Sequence, residues 1–113
     1  MAGNETTFAL REVIKELEES DSTFITSTGL SAITLALTAL LKAGDHMLLV
    51  DSCYGPTRRF CHKTLKKFGV ETTYMDPEIG ADIEDLIQEN TKVIMLESPG
   101  SATFEIQDIE AIA

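Results

Sequence analysis

Three short stretches hold most of the residues that could do chemistry. The first, Ser27-Thr28-Gly29-Leu30-Ser31, crowds hydroxyls and backbone N–H groups around one glycine, just ahead of an apolar run. At a helix N-terminus such donors and the helix dipole make an anion site, and glycine lets the backbone approach phosphate oxygens closely. A capped tight turn has the same composition. The stretch matches neither G-x-x-x-x-G-K-[ST] nor G-x-G-x-x-G, so the common nucleotide fingerprints are absent. The second, Asp51-Ser52-Cys53-Tyr54-Gly55-Pro56, offers an aromatic ring in a loop. Stacked on a flat ligand, that ring is worth ~0.5–1.5 kcal/mol beyond burial, although a lone loop tyrosine also serves as a half-buried anchor. The third, Glu97-Ser98-Pro99-Gly100-Ser101, supplies a carboxylate, two hydroxyls and a proline-fixed backbone, and an ordinary strand exit looks alike. Cys53 has no histidine–acid pair near it in sequence and reads as a buried thiol. His46 and His62 read as structural or solvated.

The elements that must carry these stretches alternate in type. Leu10, Val13, Ile14 and Leu17 recur at helical spacing, with Asn4 or Thr6 as cap. TFITS (23–27) has strand composition. Residues 30–42 read as a mostly buried helix stopped by Gly44. HMLLV (46–50) is a continuous apolar run of the kind parallel sheets cover on both faces. Pro56 suits the first turn of a helix over Phe60, Leu65 and Phe68 that ends at Gly69. A strand over 70–75, a short helix over 83–88, a strand over 92–97 and a last helix capped by Asp108 follow. This rhythm predicts an α/β fold, a mainly parallel sheet with flanking helices. In such sheets ligands bind beyond the carboxyl ends of the strands, where all three stretches fall.

Composition bounds the partners. The 113 residues suffice for one small domain and carry a net charge of −10, which argues against nucleic acid. The charge is uneven: residues 23–70 hold six bases and two acids, whereas 71–113 hold eleven acids and one base. An anionic small molecule at the middle region is plausible on that ground, and a solvated basic helix face explains it equally. No apolar run is long enough for a membrane span and no signal peptide opens the sequence. Two cysteines make neither a disulfide framework nor a zinc site, so a reducing cytoplasm is the expected compartment.

Read together and in order, these stretches resemble the Cys/Met-metabolism family of pyridoxal-phosphate (PLP) enzymes, of fold type I. AGDHMLLVDSCYGPT (43–57) is similar to that family's GDH strand and cofactor-stacking tyrosine. FGVETTYMDPEIGADI (68–83) is similar to its linking strand and loop, LESPGSATFEIQDIEAI (96–112) to its ESPGS segment, and GNETTFALREVIKELEE (3–19) to its GNPT-then-helix stretch. The resemblance covers essentially the whole sequence. It implies that Gly29 and Leu30 give backbone N–H groups to the PLP phosphate. Tyr54 would stack on the pyridine ring, close enough to the reacting carbon for a catalytic part in proton handling. Many γ-synthases and γ-lyases of the family carry ESP-x-N-P, whose asparagine approaches the ring hydroxyl. Here Ser101 takes that asparagine's place and Ala102 the proline's, a pattern that resembles the β-lyase branch. The implied reaction is β-elimination of L-cystathionine to homocysteine, pyruvate and ammonia in methionine biosynthesis, with γ-type chemistry or a non-catalytic piece as alternatives.

The family's cofactor-attaching lysine and its acid against the pyridine nitrogen follow the ESP segment. None of Lys15, Lys42, Lys63, Lys66, Lys67 or Lys92 stands in the family's Ser-x-Thr-Lys context. The family's Tyr-x-Arg, which reaches a neighbouring subunit's phosphate, would fall just before Gly3, where this sequence has Met1-Ala2. Residues 1–113 are therefore expected to be the incomplete N-terminal portion of a PLP-binding domain, an internal piece inactive by itself. The complete enzyme is expected to be a homo-oligomer, a tetramer in the family.

Overall fold

Asn4 begins the first helix, α1 (Glu5–Leu17), by accepting the Thr7 N–H on its side chain at 2.9 Å. Of the two caps the sequence offers it is Asn4, whose carboxamide satisfies a donor that the helix itself leaves orphaned. The computed structural model describes residues 3–113. Two compact units divide the chain, one ending at Ala32 and the other spanning Ile33–Ala113, and each is described by itself. In the first unit none of the described residues is buried. Arg11 bridges its two segments: Nε–H donates to the Thr23 carbonyl at 2.7 Å, and the guanidinium lies 5.7 Å from the centre of the Phe24 ring. The strand expected at 23–27 does not form. A strand needs a ladder partner, the described residues of this unit contain no other strand, and Arg11 takes the Thr23 carbonyl. Helix α2 (Gly29–Leu40) begins here and continues into the second unit.

The second unit is built around β1 (His46–Val50), whose five residues are all buried. It pairs in parallel with β2 (Glu71–Met75) on one side and β3 (Thr91–Met95) on the other, giving the order β2-β1-β3. The central place explains why β1 is apolar without alternation: neither of its faces meets water. His46 is the exception in type and is satisfied, with Nδ1 2.7 Å from Thr91 Oγ1 and Nε2 2.9 Å from Thr73 Oγ1, one partner on each neighbouring strand. Leu37 of α2 packs on this core, with Ile33 and Leu41 against its margin. Gly44, at φ +90°, turns the chain between α2 and β1 in a backbone region that favours glycine.

The crossover from β1 to β2 starts in α3 (Gly55–Arg59), with Pro56 in its first turn. It runs on as a π-helical turn over Phe60–Leu65 rather than as one uniform α-helix, and Gly69 at φ +79° ends it. Cys61 and Leu65 point from that turn into the core. From β2 to β3 the chain passes a 3₁₀ segment, Gly80–Leu86, where the sequence predicts a short α-helix ending near Gln88. Asp108 caps α4 (Ile109–Ile112) by accepting the Ala111 N–H at 3.1 Å. The fold is thus α/β with a small parallel sheet and flanking helices, as the sequence predicts. Among the described residues no helix is long and apolar enough to cross a membrane.

Candidate functional site

In the first unit, the opening turn of α2 is held by Thr28. Its Oγ1 accepts the Ser31 N–H at 3.0 Å and its carbonyl accepts the Ala32 N–H at 3.1 Å, while Thr26 Oγ1–H donates to the same carbonyl at 2.8 Å. The Gly29 and Leu30 amides, next in the turn, have no partner among the described residues. A Cβ built on Gly29 would meet nothing within 4 Å, and its φ is not left-handed. The glycine is therefore not demanded by the backbone. Its open Cβ position lies beside two unspent donors at the positive end of a helix.

In the second unit, the parallel strands bring two loops together at the carboxyl edge of the sheet. Tyr54, in the loop after β1, donates its backbone N–H to Glu97 Oε2 at 3.0 Å. Ser101, in the loop after β3, donates its backbone N–H to the Ser52 carbonyl at 2.7 Å. The stretches 51–56 and 97–101 are thus joined twice. Gly100 is why they fit so closely: a Cβ there would lie 2.6 Å from Ser52 Oγ and 2.9 Å from Glu105 Oε2. The Tyr54 side is braced by Arg58, which donates to the Asp51 carbonyl at 2.6 Å and pairs with the Asp51 carboxylate. The Arg58 guanidinium also lies 4.2 Å over the centre of the Tyr74 ring, a cation–π contact on β2.

Each residue singled out in the sequence has a definite place. Tyr54 is 47% exposed, so its ring is half open for stacking while its main chain is fixed. Ser101 lines a shallow cavity of about 260 Å³ with Asp51, Ser52, Cys53, Pro77, Thr103 and Glu105, and Tyr54 is not among the lining residues. Cys53 is buried, and burial pushes its thiol pKa up, with Arg58 opposing and Glu97 adding to the rise. A protonated, buried thiol is a poor nucleophile, in keeping with its reading as a structural residue. A larger hollow of about 450 Å³ follows the outer edge of β2, lined by Cys61, His62, Lys66 and the strand itself.

Sequence reasoning overlooked Gln107. It is buried, and its carboxamide grips the Glu97 backbone from both sides: Nε2–H donates to the Glu97 carbonyl, and Oε1 accepts the Glu97 N–H at 3.3 Å. Its own N–H donates to Ser98 Oγ at 3.0 Å. One signal was available, a glutamine inside an otherwise acidic and apolar tail, but its partner ten residues away was not.

A small parallel sheet with glycine-bearing loops and a half-exposed tyrosine at its carboxyl edge defines an α/β protein of the class in which ligands meet that edge of the sheet. The particular family is settled by comparison: the chain belongs to the Cys/Met metabolism PLP-dependent enzymes, whose family model matches residues 1–113. A Rhizobium johnstonii protein named, provisionally, cystathionine β-lyase is 53% identical over 111 residues, 98% of this chain and 28% of its own length. The L-alanine/L-glutamate racemase of Wolbachia pipientis is 46% identical over 110 residues, 97% of this chain and 27% of its own. Among solved structures, metB from Corynebacterium glutamicum superposes with a TM-score of 0.91 at 34% identity, over 97% of this chain and 29% of that one. The chain thus spans under a third of the length of these relatives and has the fold of type I PLP enzymes.

Proposed function

We propose that this chain is the N-terminal portion of the PLP-binding domain of a carbon–sulfur lyase, which cleaves L-cystathionine by β-elimination to homocysteine, pyruvate and ammonia. The observation that carries this reading is the double tie between the Tyr54 loop and the Glu97–Ser101 loop at the carboxyl edge of the sheet. That tie joins the family's ring-stacking tyrosine to the segment in which Ser101 and Ala102 resemble the β-lyase branch. PLP, when bound, supplies the electron sink that makes the amino acid's α-proton removable.

The chain's own residues would bind and orient. The Gly29 and Leu30 amides fit the phosphate, because both are unspent and the Cβ position of Gly29 is open. The Tyr54 ring stacks on the pyridine face, and its phenol oxygen can hold or pass a proton at the α-carbon. Ser101 offers a hydroxyl where γ-type relatives have a carboxamide. Attachment of the cofactor falls to a lysine outside these residues, and the complete protein works as a cytoplasmic homo-oligomer.

A second reading rests on the racemase among the relatives: α-proton exchange on an amino acid without elimination. Both readings are tested by giving the full-length protein L-cystathionine and analysing the products. The β-lyase reading expects pyruvate and a new thiol in equal amounts. Release of 2-oxobutyrate would replace it with γ-elimination, and α-proton exchange with no keto acid would favour the racemase type.

A further inference from the structure

We propose that Gln107 is a positioning residue for the Tyr54 ring, acting through Glu97. The inference rests on the reading of Tyr54 as the ring that meets the cofactor. Strand β3 ends at Met95, so the Glu97 backbone has no ladder partner, and the Gln107 carboxamide takes that role. A primary amide presents one donor and one acceptor side by side, which is what an adjacent strand would offer to the N–H and C=O of one residue. Buried at 4% exposure, Gln107 has no water competing for either bond. With its main chain held, Glu97 keeps a fixed place at the head of the loop. Among the described residues its carboxylate has no ion-pair partner. It is committed instead to the Tyr54 N–H, a charge-assisted bond across 43 residues of sequence. On the other side, the Tyr54 carbonyl accepts the Thr57 and Arg58 N–H groups at 2.9 and 3.2 Å. Both polar groups of the Tyr54 backbone are therefore tied, and the ring keeps only its side-chain torsions. Gln107 sets where that backbone sits without reaching the ligand.

The test uses the full-length protein labelled with fluorotyrosine, the Tyr54 ¹⁹F resonance being identified by its loss in Tyr54→Phe. Gln107→Glu keeps the size and the acceptor but removes the donor to the Glu97 carbonyl. Gln107→Leu removes both bonds. The proposal expects each to displace the Tyr54 resonance in the absence of PLP, leaving Tyr74 in place, and to weaken PLP binding by about two- to tenfold, the value of an aromatic stack. Glu97→Ala should do the same, and Glu97→Gln, which retains an acceptor, should stay near wild type. Gln107→Glu combined with Glu97→Ala should be no worse than Glu97→Ala alone, because the two act in one line. Should Gln107→Leu fail to fold, Gln107→Glu decides. An unmoved Tyr54 resonance in Gln107→Glu, additive losses in the double variant, or an equal displacement of Tyr74 would overturn the proposal. If PLP itself left the Tyr54 resonance unmoved in wild type, the cofactor reading would fail, while the ligand-free displacement would still decide the role of Gln107.

Discussion

The Ser101 N–H meets the Ser52 carbonyl at 2.7 Å, and this bond holds the loop after β3 against the loop after β1. Such closeness is possible because residue 100 has no side chain. Gly100→Ala would place a methyl group 2.8 Å from Ser52 Cβ, an atom tied directly to the backbone that cannot swing away cheaply. The expected cost is about 1–3 kcal/mol, the usual scale for forced overpacking. Chemical denaturation of the variant checks it, and an unchanged midpoint would mean that the two loops are looser than described.

Gly29 is the opposite case. Nothing lies within 4 Å of the Cβ position and the backbone is not left-handed. Gly29→Ala should leave folding stability unchanged or raise it by up to ~1 kcal/mol. The same methyl group should weaken binding of PLP roughly tenfold or more if it costs one close phosphate contact. Thermal unfolding paired with PLP titration separates the two effects. Loss of stability without loss of binding would contradict the assignment.

Burial raises the Cys61 thiol to about 11 from its ordinary 9.0, with the neighbouring Cys53 a lesser cause. An acid whose pKa is higher folded than unfolded favours the folded state while both forms are protonated. Stability is therefore intact below about pH 9 and falls as the pH rises to about 11, the range in which the unfolded chain ionises ahead of the folded one. The shift corresponds to about 3 kcal/mol. Urea midpoints measured at both ends of that window should converge in Cys61→Ala, and an equally steep fall there would assign the effect elsewhere.

Much of this fold is legible because the strongest signals are local. The uninterrupted apolar run of β1, Pro56 at the start of α3, and Gly44 and Gly69 at positive φ each state their role within a few residues. The strand predicted at 23–27 failed because β composition does not supply a partner, and Arg11 took the Thr23 carbonyl. The switch of α3 into a π turn and of the 80–86 segment into 3₁₀ are differences of hydrogen-bond register that side-chain periodicity does not resolve. At the candidate site, it was the family resemblance rather than residue type alone that pointed to Gly29, Leu30, Tyr54 and Ser101. The bonds among Tyr54, Glu97 and Gln107 depend on which strands are neighbours, and β3 lies beside β1 rather than beside β2. That order is invisible in a linear reading, so Gln107 was missed.

The central claim is that Tyr54 supplies one face of a PLP site, and PLP binding by the full-length protein tests it most directly. Equilibrium titration should show Tyr54→Ala weakened by about two- to tenfold, with Tyr54→Phe, which keeps the ring, close to wild type. If Tyr54→Ala binds PLP as tightly as the unaltered protein, the ring does not meet the cofactor and the account fails.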